Sequence, residues 1–190
     1  MSPFEYVIVL ISIILGLGIT LVLTGFAELI RQWSSIKIFW PYLIWIVLVF
    51  VLHVHEWWET YALKSISVWN LPTFLFVVLY PILLFILANL LFPKKWKKDV
   101  IDLKDHYFKT YRTFFFFAIL LDLLAVVQNI TLSGYKIQDQ VIHLVVLSIL
   151  SFLLIKKNEN VAIHSLVAVT LLVMMIVSLI VTSDSLLIQW

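Results

Sequence analysis

Six apolar runs constrain what this chain can fold into. They cover about residues 6–30, 39–58, 69–92, 112–132, 140–155 and 161–182. A helix needs about 20 apolar residues to cross roughly 30 Å of hydrocarbon, and only the fifth run is shorter, so it must recruit residues 138–140 or lie in locally thinned bilayer. Charged residues make up 13% of the chain, against about 25% in soluble domains. The sequence predicts an all-α, polytopic membrane bundle of six transmembrane helices forming one domain over residues 1–190.

The positive charges predict the orientation of this bundle. Of the 13 Lys and Arg residues, all but Lys64 and Lys136 fall on one side of the six-span arrangement. Positively charged connections stay on the cytoplasmic side of a membrane. We therefore predict that both termini lie outside.

The connection after the third run is the most basic part of the chain. It carries Lys94, Lys95, Lys97 and Lys98 around Trp96. Such residues attract anionic lipids by about 1 kcal/mol each, so we expect this loop to face lipid at the inner surface, with a specific acidic partner as the alternative. We expect no nucleic-acid partner.

Polar residues gather at the end of the second run. His53 and His55 are two residues apart and project to opposite faces of a helix, so a regular helix cannot present both to one metal. His53 with Glu56, and His55 with Glu59, each share a face. Either pair could orient a ring or stabilise an imidazolium.

The fourth run contains Asp122, the only acid near its middle. An ionised Asp there costs about 2.5–3.5 kcal/mol on insertion scales, which leaves two interpretations: a functional group, or an interhelical hydrogen bond. Residues of the same outer half come from several runs. We predict an outward-open polar cavity with His53 and Asp122 in its floor and a ligand- or ion-binding set of Glu5, His53, His55, Glu56, Asp122, Gln128 and His143.

Small and weakly polar residues recur every four positions in the first run. They are Ser12, Gly16, Thr20 and Thr24. Small residues let helices approach closely in lipid, so the stripe predicts a helix-packing seam, with a substrate groove as the alternative. It also makes a homo-oligomer plausible.

These features favour some function classes over others. A small channel, transporter or ligand-binding membrane protein is the leading interpretation, because ionisable groups face the bundle and every connection is short. A haem- or metal-binding redox protein using His53 and His143 is the first alternative, and a non-enzymatic sensor or assembly subunit is the second. The chain has no Cys and no recognisable nucleophile or His-Glu-x-x-His motif, so we do not predict an enzyme.

Several short motifs carry a resemblance to a family. They are Phe4-Glu5-Tyr6, Leu15-Gly16-Leu17-Gly18, Leu23-Thr24-Gly25, Trp40-Pro41 and Trp57-Trp58. Together they resemble an uncharacterised family of small multi-pass bacterial membrane proteins over roughly the first hundred residues. The resemblance implies a bacterial inner membrane and no particular activity.

Overall fold

Six long helices make up most of the structure, a computed structural model that describes residues 2–66, 68–93 and 101–181. All six are long and apolar enough to span a membrane. The predicted lipid-facing residues Lys94, Lys95, Lys97 and Lys98 lie outside the described residues. The helices are α1 (Pro3–Arg31), α2 (Trp40–Glu59), α3 (Leu71–Leu91), α4 (Leu103–Thr131), α5 (Val141–Lys156) and α6 (Val161–Val181).

The predicted spans and the helices differ most at α4. Helix α4 begins at Leu103, nine residues before the predicted span, and Asp102 caps it by accepting from the backbone N–H groups of Lys104 and Asp105. The short α5 recruits a 3₁₀ turn at Ile137–Gln140, which extends the apolar unit to 20 residues. A span of that length matches the hydrocarbon thickness.

Helix α1 packs on α2 and α3 through a seam that differs from the predicted stripe. Its buried face carries Gly18 and Gly25 among larger residues. A Cβ on Gly18 would overlap the His53 ring, and one on Gly25 would overlap Phe92. These two glycines therefore permit the close approach of α1 to its neighbours.

Within this chain, the predicted packing stripe is not the packed face of α1. Gly16, Thr20 and Thr24 are exposed and Ser12 is half-buried. The reason is that the buried residues of α1 recur at spacings of four or three, whereas the stripe keeps a strict spacing of four and lies off the packed face. As a contact with another chain, the stripe stays a prediction.

The outer surface of the bundle is apolar. Leu166 and Ile180 of α6 are each 67% exposed. In contrast, His53, Thr60, Gln140 and His164 are buried. Large apolar side chains therefore cover the outside of the bundle as well as its core, which differs from the surface of a water-soluble protein and suits lipid as the solvent.

One end of the bundle, here called the basic end, holds Arg31, Lys37, Lys104 and Lys156. A two-residue parallel strand pair joins its connections, with Ile36 opposite Ile101 and Lys37 opposite Asp102. The final carbonyl of α3, on Leu91, accepts hydrogen bonds from the Tyr42 hydroxyl and from His106 Nε2. These contacts fix the start of α2, the end of α3 and the start of α4 relative to one another.

Candidate functional site

Asp122 of α4 and His143 of α5 form the central contact of the candidate site. His143 Nδ1 lies 2.6 Å from Asp122 Oδ1. The Asp122 side chain is 14% exposed and the His143 side chain is 31% exposed. The pair therefore joins a shielded carboxyl group to an imidazole that reaches the surface of the chain.

The second carboxyl oxygen of this pair is unsatisfied. Asp122 Oδ2 is buried and has no hydrogen-bond partner among the described residues. Buried carboxyl oxygens normally have a partner, because an unmade hydrogen bond in an apolar setting is costly. Oδ2 is thus a free acceptor, or a place for a proton, in the middle of an apolar helix.

Tyr80 of α3 and Glu56 of α2 extend the site toward two further helices. Tyr80 interacts electrostatically with both Glu56 and Asp122. Four consecutive helices thus each contribute one ionisable or hydroxyl group. We call Glu56, Tyr80, Asp122 and His143 the polar seam.

Two amide side chains of α4 support the polar seam. Gln128 Nε2 donates to the Phe76 carbonyl of α3 at 2.7 Å, one residue before the carbonyl that Pro81 leaves without its helical donor. Asn129 Nδ2 donates to Gln140 Oε1 at 3.0 Å. Together with the Asp122–His143 contact, these bonds fix the rotation of α4 against α3 and α5.

His53 does not join the polar seam. Its Nδ1 contacts the Val49 carbonyl at 2.7 Å within α2. The ring lies against Gly18 of α1, and Nε2 is buried with no hydrogen-bond partner in the described part of the chain. The backbone of α1 covers Nε2. In this position the ring cannot serve with His143 as an axial ligand of a haem iron.

Two other predicted site residues make contacts within one turn of their own helices. His55 Nε2 is 3.7 Å from Glu59 Oε1, one turn away at the end of α2. Glu5 accepts from the Ser2 backbone N–H at 2.8 Å as part of the α1 capping box. Within residues 2–66, 68–93 and 101–181, no three His, Asp or Glu side chains converge as metal ligands.

Sequence reasoning missed Tyr80. A signal was available, since Tyr80 is the only hydroxyl-bearing residue between Phe74 and Phe92 and directly precedes Pro81. That Tyr80 comes within electrostatic reach of Asp122 depends on the packing of α3 against α4, which a single-helix pattern does not contain.

Sequence reasoning also missed a second polar position, at His164 of α6. Its fully buried ring lies among Tyr107, Phe108, Tyr111 and Phe115 of α4. His164 Nε2 is 2.6 Å from the Asn158 carbonyl, which only accepts, so Nε2 donates. Nδ1 of the neutral ring is then the acceptor for the Tyr107 hydroxyl at 2.8 Å. We call His164 and the four rings around it, Tyr107, Phe108, Tyr111 and Phe115, the aromatic box.

Comparison with protein families, curated proteins and solved structures found no match to this chain.

Proposed function

We propose that this chain is a multi-pass protein of the bacterial cytoplasmic membrane, with both termini outside, and that it acts as a small channel or transporter. The Asp122–His143 pair is the group that binds the transported ion or solute. The haem and assembly alternatives have less support, because His53 Nε2 is covered by α1 and the polar seam spans the interior of one chain.

The membrane part of this proposal rests on the distribution of polarity. Six helices are long and apolar enough to cross a bilayer, and large apolar side chains are exposed along them. The Lys and Arg residues concentrate on the connections at the basic end. The positive-inside rule assigns that end to the cytoplasm.

The transport part rests on one observation, the Asp122–His143 contact with its free oxygen. In an apolar span, a carboxyl group is stable when it is neutral or paired. An imidazole at 2.6 Å supplies that pairing, and the pair can hold one proton between its two members without net charge. Loss or gain of a proton, or exchange for a small cation at Oδ2, then changes the charge of the site.

The polar seam gives this site two sides. His143 is partly exposed at α5. Tyr80 lies within electrostatic reach of Asp122 and of Glu56. Ionisable residues inside a bundle that form such a series are typical of ion and proton pathways.

Flux into proteoliposomes tests the proposal. Purified protein is reconstituted with an internal pH-sensitive dye, a potassium diffusion potential is imposed with valinomycin, and proton entry is recorded beside sodium uptake. We expect flux of at least one of these cations in wild type and a loss of about tenfold or more in Asp122→Asn, since a group that carries the transported charge cannot be replaced by a neutral amide.

Asp105→Asn is the matched control. It makes the same chemical change on the same helix, where Asp105 is exposed and pairs with Lys109 at 2.6 Å. Its flux should stay within about twofold of wild type, as exposed pairs contribute little. Equal flux in wild type and Asp122→Asn would contradict the assigned site, and no cation flux in wild type would contradict the channel or transporter assignment.

A further inference from the structure

A narrow cleft lies at the basic end of the bundle, away from the polar seam. Its walls are mainly aromatic and come from α2, α3 and α4. We call it the aromatic cleft, lined by Tyr42, Trp45, Leu90, Leu91, Tyr107, Thr110, Tyr111 and Phe114. Leu90 and Thr110 are partly exposed and form its rim, whereas the other six are buried.

Two hydrogen-bond donors that line this cleft are unused. Trp45 Nε1 and Tyr111 Oη are both buried and have no hydrogen-bond partner among the described residues. Trp45 is 5% exposed and Tyr111 is 1% exposed. The Tyr107 oxygen lies within reach of the indole but not in hydrogen-bond geometry with it. Two orphaned donors in one enclosed place indicate a missing acceptor.

The remaining polar groups of the cleft are already occupied. The Tyr42 hydroxyl donates to the Leu91 carbonyl, and the Tyr107 hydroxyl donates to His164. The Thr110 hydroxyl donates to the His106 carbonyl at 3.0 Å. No lining residue is an acid or a base that is charged at neutral pH, so the missing group is an uncharged acceptor.

The size and level of the cleft narrow the choice further. The enclosed space holds about one water-sized atom group, which fits the oxygen of a carbonyl and not a whole ligand. Trp45 lies five residues after the start of α2, or about 7.5 Å along the helix axis. The interfacial layer on each side of the hydrocarbon is about 5 to 7.5 Å thick, so this depth matches the ester groups of phospholipids.

We propose that the aromatic cleft binds an ester carbonyl of an inner-leaflet phospholipid, which accepts hydrogen bonds from Trp45 Nε1 and Tyr111 Oη. The acyl chain lies outward, over the rim between Leu90 and Thr110. This inference rests on the proposed membrane insertion and orientation, and it is independent of the transport activity.

Ether-linked lipids provide a direct test, because they lack only the carbonyl. Purified protein is mixed with equal amounts of diester and diether phosphatidylglycerol of the same chain length, and bound lipids are resolved by native mass spectrometry. We expect wild type to retain the diester form at least about fivefold over the diether form, since one hydrogen bond contributes about 1 kcal/mol.

Tyr111→Phe and Trp45→Phe should each lower that ratio by about fivefold, because each removes one of the two hydrogen bonds to the carbonyl. Tyr111→Phe removes a single oxygen and keeps the ring, so it remains informative if Trp45→Phe does not fold. Trp40→Phe is the matched control at an exposed tryptophan and should keep the preference. Glu159→Gln is a second control, because Glu159 interacts electrostatically with Tyr111, and it should also keep the preference.

Two results would overturn this inference. One is equal retention of both lipids by wild type, which a bridging water in the cleft would produce. The other is an ester preference that is undiminished in both Tyr111→Phe and Trp45→Phe. Failure of wild type to retain either lipid would also overturn it, because the cleft would then bind no phospholipid.

Discussion

Two histidines, one in each half of the bundle, are held in contrasting ways. His164 is fully buried in the aromatic box, and both of its ring nitrogens have partners. His143 is partly exposed and contacts a carboxyl group whose other oxygen has no partner in the described part of the chain. A satisfied neutral ring stabilises packing, whereas an incompletely satisfied acid–imidazole pair can gain or lose a proton. We therefore expect the aromatic box to govern stability and the polar seam to govern activity.

The largest stability effect should come from the aromatic box. His164→Ala removes two hydrogen bonds and leaves a cavity among four rings, so we expect the free energy of unfolding to fall by about 3 to 5 kcal/mol. Denaturant titration of the purified protein in detergent measures the change. His55→Ala, at a half-exposed ring beside Glu59, should stay within about 0.5 kcal/mol. Equal effects of the two substitutions would contradict the structural role of His164.

The next effect should come from the seam of α1. Gly18→Ala places a methyl group against the His53 ring, and overpacking of this kind costs about 1 to 3 kcal/mol. Gly16→Ala is the matched control on the same helix, because an added Cβ there contacts nothing within 4 Å.

The double variant Gly18→Ala with His53→Ala should recover part of that loss, since the clashing ring is removed. Denaturant titration in detergent measures the free energy of unfolding of Gly18→Ala, Gly16→Ala and the double variant. Equal stability of Gly18→Ala and Gly16→Ala would show that His53 does not pack on α1 as described.

A smaller effect should come from the amide that supports the polar seam. Gln128→Leu removes the bond to the Phe76 carbonyl beside the Pro81 kink. Interhelical hydrogen bonds in membrane proteins contribute about 0.6 kcal/mol on average and up to about 1.7, so we expect a loss of about 1 kcal/mol in unfolding titration.

Thr131→Val is its control, because the Thr131 hydroxyl bonds only within its own helix, to the Val127 carbonyl at 2.7 Å. That variant should unfold like wild type. A greater loss in Thr131→Val than in Gln128→Leu would remove the proposed support of α4 by α3.

The helices themselves were largely predictable from the sequence. Runs of apolar residues identify six segments that can cross a bilayer, and the need of the fifth run for extra residues is confirmed by the 3₁₀ turn at Ile137–Gln140. The early start of α4 was less visible, because its first turns alternate charged and apolar residues. Lys109 and Asp105 pair one turn apart on that charged face.

The candidate site was predictable by depth but not by rotation. Asp122, His143 and His53 were all expected in the outer half, and no sequence pattern said which of them would meet. Side-chain direction depends on how each helix turns about its axis, which the packing of neighbouring helices sets. Gly18 leaves space for the His53 ring against α1. The hydrogen bonds of Gln128 and Asn129 fix the rotation of α4 at which Asp122 meets α5.

The aromatic box shows the same limit. The enclosure of His164 by four rings of α4 depends on a long-range contact between residues 57 positions apart. Aromatic residues are also common anchors at membrane boundaries, so their clustering around a histidine was not distinct in the sequence.

The central claim is that the carboxyl group of Asp122 serves activity, beyond the hydrogen bond that its side chain makes to His143. Its most direct test is the ratio of cation flux in Asp122→Asn to that in wild type, normalised to folded protein by unfolding titration of the same preparations. We expect flux to fall about tenfold or more while the free energy of unfolding changes by no more than about 1 kcal/mol, because an amide can still bond to His143. Undiminished flux, or a loss of flux that only follows a loss of folded protein, would contradict the claim.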